Sequence, residues 1–312
     1  WDRNDPRANS ISCAGANNRD KACIVKEAKN LQSGIVAKGF SGESIERPGR
    51  TILNLQGADV KDFLQRMSTN DLSKVDLEPV RTALITEKGK IVDVVTVLKK
   101  GQNSYLLCGV STEPAATKSW LERFVVMDDV AVEDVTTEYR HLLRPGSVSG
   151  TGSLVGELQF VDAWGLHVIV PSGAGARSEA QSDMAQLEAF RVGKGLGDWP
   201  TEISPEYNPL ESGMGDVISW TKGCYVGQEV IARLDTYKKL QRVLVSLLLN
   251  DNYETPSNLY KDAAIVGKLT SVAEVSGGQY AGLGFVRPAD AEAKVVLTVG
   301  IPNSGIEAQI RG

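Results

Sequence analysis

Apolar positions along this chain follow two periods, and the switches between them lay out its elements. Residues 51–56 read as a strand. From Gly57 onward Val60, Phe63, Leu64 and Met67 fall at i, i+3, i+4 and i+7, the stripe of a helix that packs on a sheet. Strand-like runs follow at 82–86, 91–98 and 104–109, the last two separated by Lys99-Lys100-Gly101-Gln102-Asn103, a hairpin loop. Thr112 suits an N-cap with Pro114 in the first turn, and Ala116, Trp120, Leu121 and Phe124 form the buried stripe of a second helix. Residues 130–135 supply another strand. The order β-α-β-β-α-β predicts a ferredoxin-like α+β layer.

Downstream the pattern loosens. Residues 144–157 are rich in Gly and Ser and read as a surface loop or crossover. Residues 166–170 suit a strand in which His167 alternates with apolar neighbours and faces outward. Ser178 with Gln181 makes a capping box for a helix that carries Met184, Leu187 and Phe190 on one face and Arg191 near its end. Residues 193–215 carry many Gly and Pro and read as loop. From 241 the runs 243–249, 264–275, 280–286 and 295–299 are short and punctuated by Pro, Asn and Gly, the pattern of a small antiparallel barrel. Residues 1–35 are polar and weakly patterned, an irregular arm with one short amphipathic stretch at 22–32. The expected division is an arm over 1–35, two α+β lobes over 36–240 and a C-terminal β-barrel over 241–312.

Length and composition narrow the class. At roughly 150 residues per domain, 312 residues allow two or three bodies, and 42% hydrophobic with 23% charged residues excludes wholesale disorder. Lys and Arg total 34 against 39 Asp and Glu, a net charge of -5, so nothing advertises a nucleic-acid binder. No apolar run approaches the roughly 20 residues that span a bilayer, so a soluble protein is expected. Cys13, Cys23, Cys108 and Cys224 form no Cys-x-x-Cys pair and only His141 and His167 accompany them, so the spacing of a structural zinc site is absent. Reduced thiols fit the cytoplasm, or an organelle matrix if a transit peptide has been removed.

The richest stretch is Thr221-Lys222-Gly223-Cys224-Tyr225-Val226-Gly227-Gln228-Glu229-Val230-Ile231-Ala232-Arg233. Two glycines bracket a tight loop, a helix is predicted to start near Gly227, and Glu229 in its first turn suits the macrodipole. A thiol near Lys222, Arg233 and a helix start favours the thiolate, the form that attacks disulfides and ligates metals. Other signals are weak: Gly193-Lys194-Gly195-Leu196-Gly197 lacks the spacing of a phosphate loop, and Lys238-Lys239 with Arg242 reads as a solvated cluster.

Lys222-Gly223-Cys224-Tyr225-x-Gly227-Gln228-Glu229 with Ala232-Arg233 resembles the signature of the folate-binding YgfZ branch of the glycine-cleavage T-protein superfamily, which includes iron–sulfur cluster assembly factors. Asn208-Pro209-Leu210-Glu211, Ile218-Ser219-Trp220, Leu55-x-Gly57-x-Asp59, Thr69-Asn70-Asp71 and Lys88-Gly89-Lys90-Ile91-Val92-Asp93 fall in that family's order. Val266–Ser271 and Gly282–Arg287 resemble its closing barrel. The resemblance implies a three-part ring around a tetrahydrofolate pocket, with 36–240 as the folate-binding, aminomethyltransferase-like region. It implies Cys224 and Asp93 as the chemical groups. Asn70, Asp71, Lys222, Tyr225, Gln228, Glu229 and Arg233 become the folate-binding set, and no metal is expected. True T-proteins carry adjacent aspartates where this chain has Asp93-Val94, a departure that weakens the case for aminomethyl transfer. Asp93 also reads simply as an exposed strand residue. The implied partners are a reduced folate and the iron–sulfur assembly machinery or its client enzymes, with the chain a monomer. The alternatives are a folate-dependent aminomethyl transferase and a structural partner without folate.

Overall fold

The computed structural model describes residues 44–147, 157–173, 184–292, 295–302 and 305–311. The arm over 1–35, Cys13, Cys23 and the capping box at Ser178 lie outside them.

Strand β2 (Ile52–Gln56) sends Leu53 and Leu55 to one side of a sheet and Ile52 to the other, so both of its faces are buried. Helix α1 (Val60–Met67) covers the first side with Val60, Phe63, Leu64 and Met67, the stripe seen in the sequence. Three strands then run in succession: β3 (Val80–Ile85), β4 (Ile91–Gly101) and β5 (Ser104–Gly109). The expected five-residue loop shrinks to Gln102-Asn103, because Gly101 pairs with Ser104 and Asn103 turns the chain at φ 55. A short polar side chain tolerates that left-handed conformation. The cap of helix α2 (Pro114–Glu122) falls on Glu113, one residue after the expected Thr112. The helix buries Thr117, Trp120 and Leu121, whereas Ala116 is exposed. Strand β6 (Ala131–Asp134) completes an antiparallel sheet ordered β3-β4-β5-β2-β6. Three strands therefore lie between the helices, one more than the β-α-β-β-α-β order allows.

A second antiparallel sheet is built from β1 (Ile45–Glu46), β7 (Tyr139–Pro145), β8 (Leu158–Asp162) and β9 (Gly165–Pro171), ordered β1-β7-β9-β8. Its Phe160 and Ile169 meet Ile52, Leu98, Leu106 and Cys108 of the first sheet, forming an apolar seam. Helix α3 (Met184–Gly193) packs Leu187 and Phe190 on Ile45, Leu143 and Trp164.

Strands β10 (Val243–Leu249), β11 (Ser257–Lys261), β12 (Ala264–Glu274), β13 (Tyr280–Val286), β14 (Val296–Val299) and β15 (Glu307–Ile310) close a barrel in the order β10-β13-β12-β11-β14-β15. Closure leaves no free edge. The mixed α+β architecture with a C-terminal antiparallel barrel is the one the sequence predicts.

Between α3 and helix α4 (Gln228–Tyr237) the chain has no regular element except a single 3-10 turn at Gly215–Val217. It is nevertheless well buried. Trp199, Ile203, Tyr207, Met214, Val217, Ile218 and Tyr225 form one core with Ala83, Ile85, Ile91 and Val94 of the first sheet and Phe285 of the barrel.

Candidate functional site

The cysteine loop is moored to the C-terminal end of α1. Ser219 N–H donates to the Thr69 carbonyl at 3.0 Å and Val226 N–H to the Arg66 carbonyl at 3.1 Å. The Thr69 hydroxyl returns a bond to the Val217 carbonyl at 2.6 Å. Lys222 Nζ donates to the carbonyls of Ser68 at 2.8 Å and Asn70 at 2.5 Å. A cation at these carbonyls occupies the end of the helix where the macrodipole favours positive charge. The ammonium lies 5.5 Å from the centre of the Tyr225 ring. Burial lowers its pKa to about 8, against the opposing effect of the Asp71 carboxylate. Among the described residues, no carboxylate comes within ion-pair distance of it.

Gly227 ends the loop at φ 78, and a Cβ there would stand 2.5 Å from the Thr86 carbonyl, so only glycine permits this approach. Helix α4 then starts at Gln228, as predicted, and sinks Ile231 into the core beside Ile85 and Ile91. The turn before β4 is held as well: Lys90 Nζ donates to the Glu206 carbonyl at 2.7 Å and Ile91 N–H to the Tyr207 carbonyl at 3.0 Å. Asn208 and Glu211 close a reciprocal pair of bonds at 3.0 and 3.2 Å. Residues 66–71, 85–91, 206–211 and 217–231, remote in sequence, thus meet in one place. The Tyr207 ring stacks on Phe285 at 3.9 Å, which ties the barrel to the same place.

Within this neighbourhood Cys224 is exposed and Tyr225 buried. Gln228 N–H donates to the Tyr225 carbonyl at 3.2 Å. Glu229 and Arg233, one turn apart on the exposed face of α4, pair with each other. Asn70 contributes its backbone carbonyl to Lys222, while its side chain donates to the Arg81 carbonyl at 2.8 Å and accepts from Asp71 N–H at 2.9 Å. Asp71 Oδ1 accepts from Ser73 N–H at 2.9 Å and Gln65 Nε2 at 3.0 Å, bonds that lower its pKa.

Asp93 departs from the exposed-strand reading: it is completely buried, and its carboxyl is enclosed by the protein. Oδ1 accepts from the backbone N–H groups of Val94 at 2.7 Å and of Val110 and Ser111 at 3.0 Å; Oδ2 accepts from the Thr117 hydroxyl at 3.4 Å. A Cβ at Gly109 would lie 2.2 Å from Oδ2, so glycine there makes room for the carboxyl. Burial pushes its pKa up to about 7, with the three N–H bonds offsetting part of the effect.

Three buried polar groupings were not foreseen. Arg191 is enclosed: it donates to Glu202 at 3.0 Å and to the Ser271 hydroxyl at 2.7 Å, joining α3 to the barrel. The i, i+3 spacing of Glu188 and Arg191 was the one local hint of pairing. Arg47 and Arg50 converge on Asp198 at 2.6 and 2.7 Å. His167, expected to face outward, is buried and bonded to both His141 and Asp162, because the face of β9 that carries it packs against the first sheet. Elsewhere two hollows of about 370 and 350 Å³ share Asp76 and Lys99 and contain no residue of the cysteine loop.

Residues 51–149 match the GCVT N-terminal domain. The fold is similar to that of the glycine cleavage system aminomethyltransferase T from Bartonella henselae, with a TM-score of 0.72 at 14% identity over 93% of this chain and 88% of that one. The fold class is therefore that of a T-protein. A chloroplastic transferase-type protein of Arabidopsis thaliana is 39% identical over 124 residues, covering 39% of this chain and 29% of that protein's length. The mitochondrial iron–sulfur cluster assembly factor IBA57 homologue of Cryptococcus neoformans is 25% identical over 271 residues, 73% of this chain and 72% of that one. An aminomethyltransferase of Listeria monocytogenes is 23% identical over 298 residues, covering 82% and 81%. The chain is thus similar both to an iron–sulfur cluster assembly factor and to aminomethyltransferases. Among the described residues no helix is long and apolar enough to cross a membrane.

Proposed function

We propose that this chain is a tetrahydrofolate-binding accessory protein of iron–sulfur cluster assembly or repair, with the Cys224 thiol as its reactive group. The observation that carries this reading is the contrast between the exposed thiol and its tightly held loop. Lys222 fastens the loop before Cys224 and Gly227 fixes it after, yet the thiol is left outside. Cys108, by comparison, is buried in the seam, and burial raises its pKa well above the ordinary thiol value, as befits a packing residue. A thiol presented on a fixed loop suits a group that must meet another molecule. A cluster passing between proteins would meet Cys224 as one ligand among several. In this reading the partner supplies the other ligands.

The donor set fits a reduced folate. Lys222 keeps a third N–H and a charge with no ion-pair partner for a carboxylate of the glutamate tail, and Asp71 Oδ2 is an acceptor beside it. Tyr225, Asn70 and Gln228 frame these groups. Glu229 and Arg233 form an exposed pair at the rim that a partner can engage. The relatives named above suggest a chloroplast or mitochondrion as the compartment. The competing reading, an aminomethyltransferase, draws on the coverage of the Listeria enzyme. The enclosure of Asp93 weighs against it, because the carboxyl at that place must reach folate to assist transfer.

The test pairs tetrahydrofolate binding to the purified protein with complementation of iron–sulfur enzyme activity in cells lacking their own factor of this family. Cys224→Ala should bind folate and melt as the wild type does but fail to complement. Normal complementation by that variant, or methylene transfer from an aminomethyl-lipoyl carrier by the wild type, would reject this reading.

A further inference from the structure

An uncovered sheet edge presents a row of unpaired backbone N–H and C=O groups, and proteins ordinarily blunt such rows. Among the described residues, three of the four edges of the two open sheets are blunted. Strand β1 is two residues long, and β6 ends in the exposed acids Glu133 and Asp134. Strand β3 is covered by the chain beyond α1: Thr69 N–H donates to the Ala83 carbonyl at 3.0 Å, and the Asn70 amide to the Arg81 carbonyl at 2.8 Å. Strand β8 has five residues with no Pro and no Lys, and it pairs with β9 alone.

The ladder fixes which groups of β8 are left over. Gly146 N–H donates to the Trp164 carbonyl at 2.8 Å, and Pro145, which has no N–H, stands opposite Gly165. Alternation then turns the backbone bonds of Leu166 and Val168 toward β7, and those of Gly165, His167 and Ile169 toward β8. The partners of these last three, Asp162, Phe160 and Leu158, bond inward. The N–H and C=O groups of Gln159 and Val161 therefore point off the edge of the sheet, and neither backbone has a hydrogen-bond partner among the described residues. Between them Phe160 is buried and stacked on His167, with ring centres 4.4 Å apart, which fixes the strand from behind.

Beside this edge lies the hollow of about 370 Å³, walled by Leu158 and Gln159 of β8, by residues 98–101 of β4 and by residues 75–79. Val75 and Leu98 give it an apolar lining, and Leu77 stands 88% exposed at its wall. Lys99 is engaged by Asp76 at 2.9 Å. Lys100 lies 5.5 Å over the Tyr139 ring, and among the described residues no carboxylate comes within ion-pair distance of it. Glu78, in the segment 75–79, has no cation within that distance either. The complementary occupant has a backbone that pairs with Gln159 and Val161, an apolar side chain for the hollow and a charge of each sign beside it. A second copy of this chain lacks that match. Two antiparallel β8 strands would set Glu157 of each copy near Asp162 of the other, and like charges oppose the pairing.

We infer that β8 is a docking edge for an extended segment of a partner protein. The segment adds a strand beside Gln159 and Val161, seats an apolar side chain in the hollow and sets an acidic neighbour on Lys100. The site shares no residue with the cysteine loop, and the inference stands apart from the folate reading. To test it, the purified full chain is panned against a display library of random short peptides, and the enriched peptides are synthesised and titrated by calorimetry. They should carry β-branched residues around one large apolar residue, with an acidic residue close by. Their binding should slow hydrogen exchange at the Gln159 and Val161 amides. Val161→Pro, which removes an outward N–H, should weaken binding about 10-fold or more. Lys100→Glu should weaken it about 3-fold, with recovery when the acid of the peptide is changed to lysine. That exchange of charges decides the matter should Val161→Pro fail to fold. No enriched peptide, or enriched peptides indifferent to both substitutions, would overturn the inference. So would a dimer of the chain alone, seen by sedimentation, in which the same amides are protected.

Discussion

Replacing Asp93 by asparagine asks whether that carboxyl serves the fold or a ligand. Its pKa is raised from 3.8 to about 7 by burial, so the folded protein holds the proton through a range in which the unfolded chain has released it. The contribution of Asp93 to stability is fully present below pH 3.8 and is lost as pH rises through about 7. The gap corresponds to ~4 kcal/mol at about 1.4 kcal/mol per pH unit, an upper figure for a completely enclosed group. Asparagine keeps an oxygen for the three N–H groups on Oδ1 and offers its amide to the Thr117 hydroxyl, so the exchange itself costs little. Urea unfolding of both proteins at several values between pH 4 and pH 8 should show near-equal midpoints in acid. The variant should then gain about 2–4 kcal/mol over the wild type by pH 8. Complementation by Asp93→Asn should be unimpaired. Asp93→Ala, which strands the Val94 and Ser111 N–H groups at about 1–3 kcal/mol each while Val110 keeps its bond to the Val94 carbonyl, should be strongly destabilised. Parallel pH profiles for wild type and Asp93→Asn would refute the reasoning, because the carboxyl would then ionise as a solvated group open to a ligand does.

Gly227→Ala meets both the φ of 78 and a carbonyl 2.5 Å from its Cβ. It should cost about 2–4 kcal/mol by denaturant titration and impair complementation as the loop shifts. Lys222→Met removes both carbonyl bonds and should cost about 1–3 kcal/mol. Because the folded lysine releases its proton near pH 8 and the unfolded one near 10.5, wild-type stability gains from this group as pH rises through that window. Melting curves of the variant should lack that gain. Arg191→Met leaves Glu202 buried without its cation and should cost about 3–5 kcal/mol. Glu202→Gln should cost less, since Ser271, Asp198 and Thr201 still hydrogen-bond at that position, and equal losses would show that charge is not what matters there.

The parts of the fold that were legible in the sequence are those with one solvated or one uniform face. The stripe of α1 and the runs that became β10, β12 and β13 could be read directly. Strands β7 and β8 were missed because they mix Tyr, Arg, His, Gln and Asp into a face that is buried by pairing rather than by apolarity. The buried pairing of Arg191 could not be read because its partner Glu202 sits beyond a glycine-rich turn, where no helical spacing links them. At the site, the motif around Cys224 could be read as a tight loop before a helix start, and α4 does begin at Gln228. Asn70, however, meets Lys222 through a backbone carbonyl, a contact that side-chain identity does not encode.

The stacking of Tyr207 on Phe285 also bears on how the protein is made. The segment that frames Cys224 leaves the ribosome well before the strand that covers it, and roughly 80 residues separate the two rings. At about 5–20 residues per second that interval lasts several seconds. The first sheet can assemble during it, but Tyr207 has no lid and Leu244 has not yet donated its N–H to the Glu211 carbonyl. The thiol is therefore present on a nascent chain before the scaffold that restrains it is finished. A truncated chain lacking the barrel would carry that exposed thiol on a framework that is never completed.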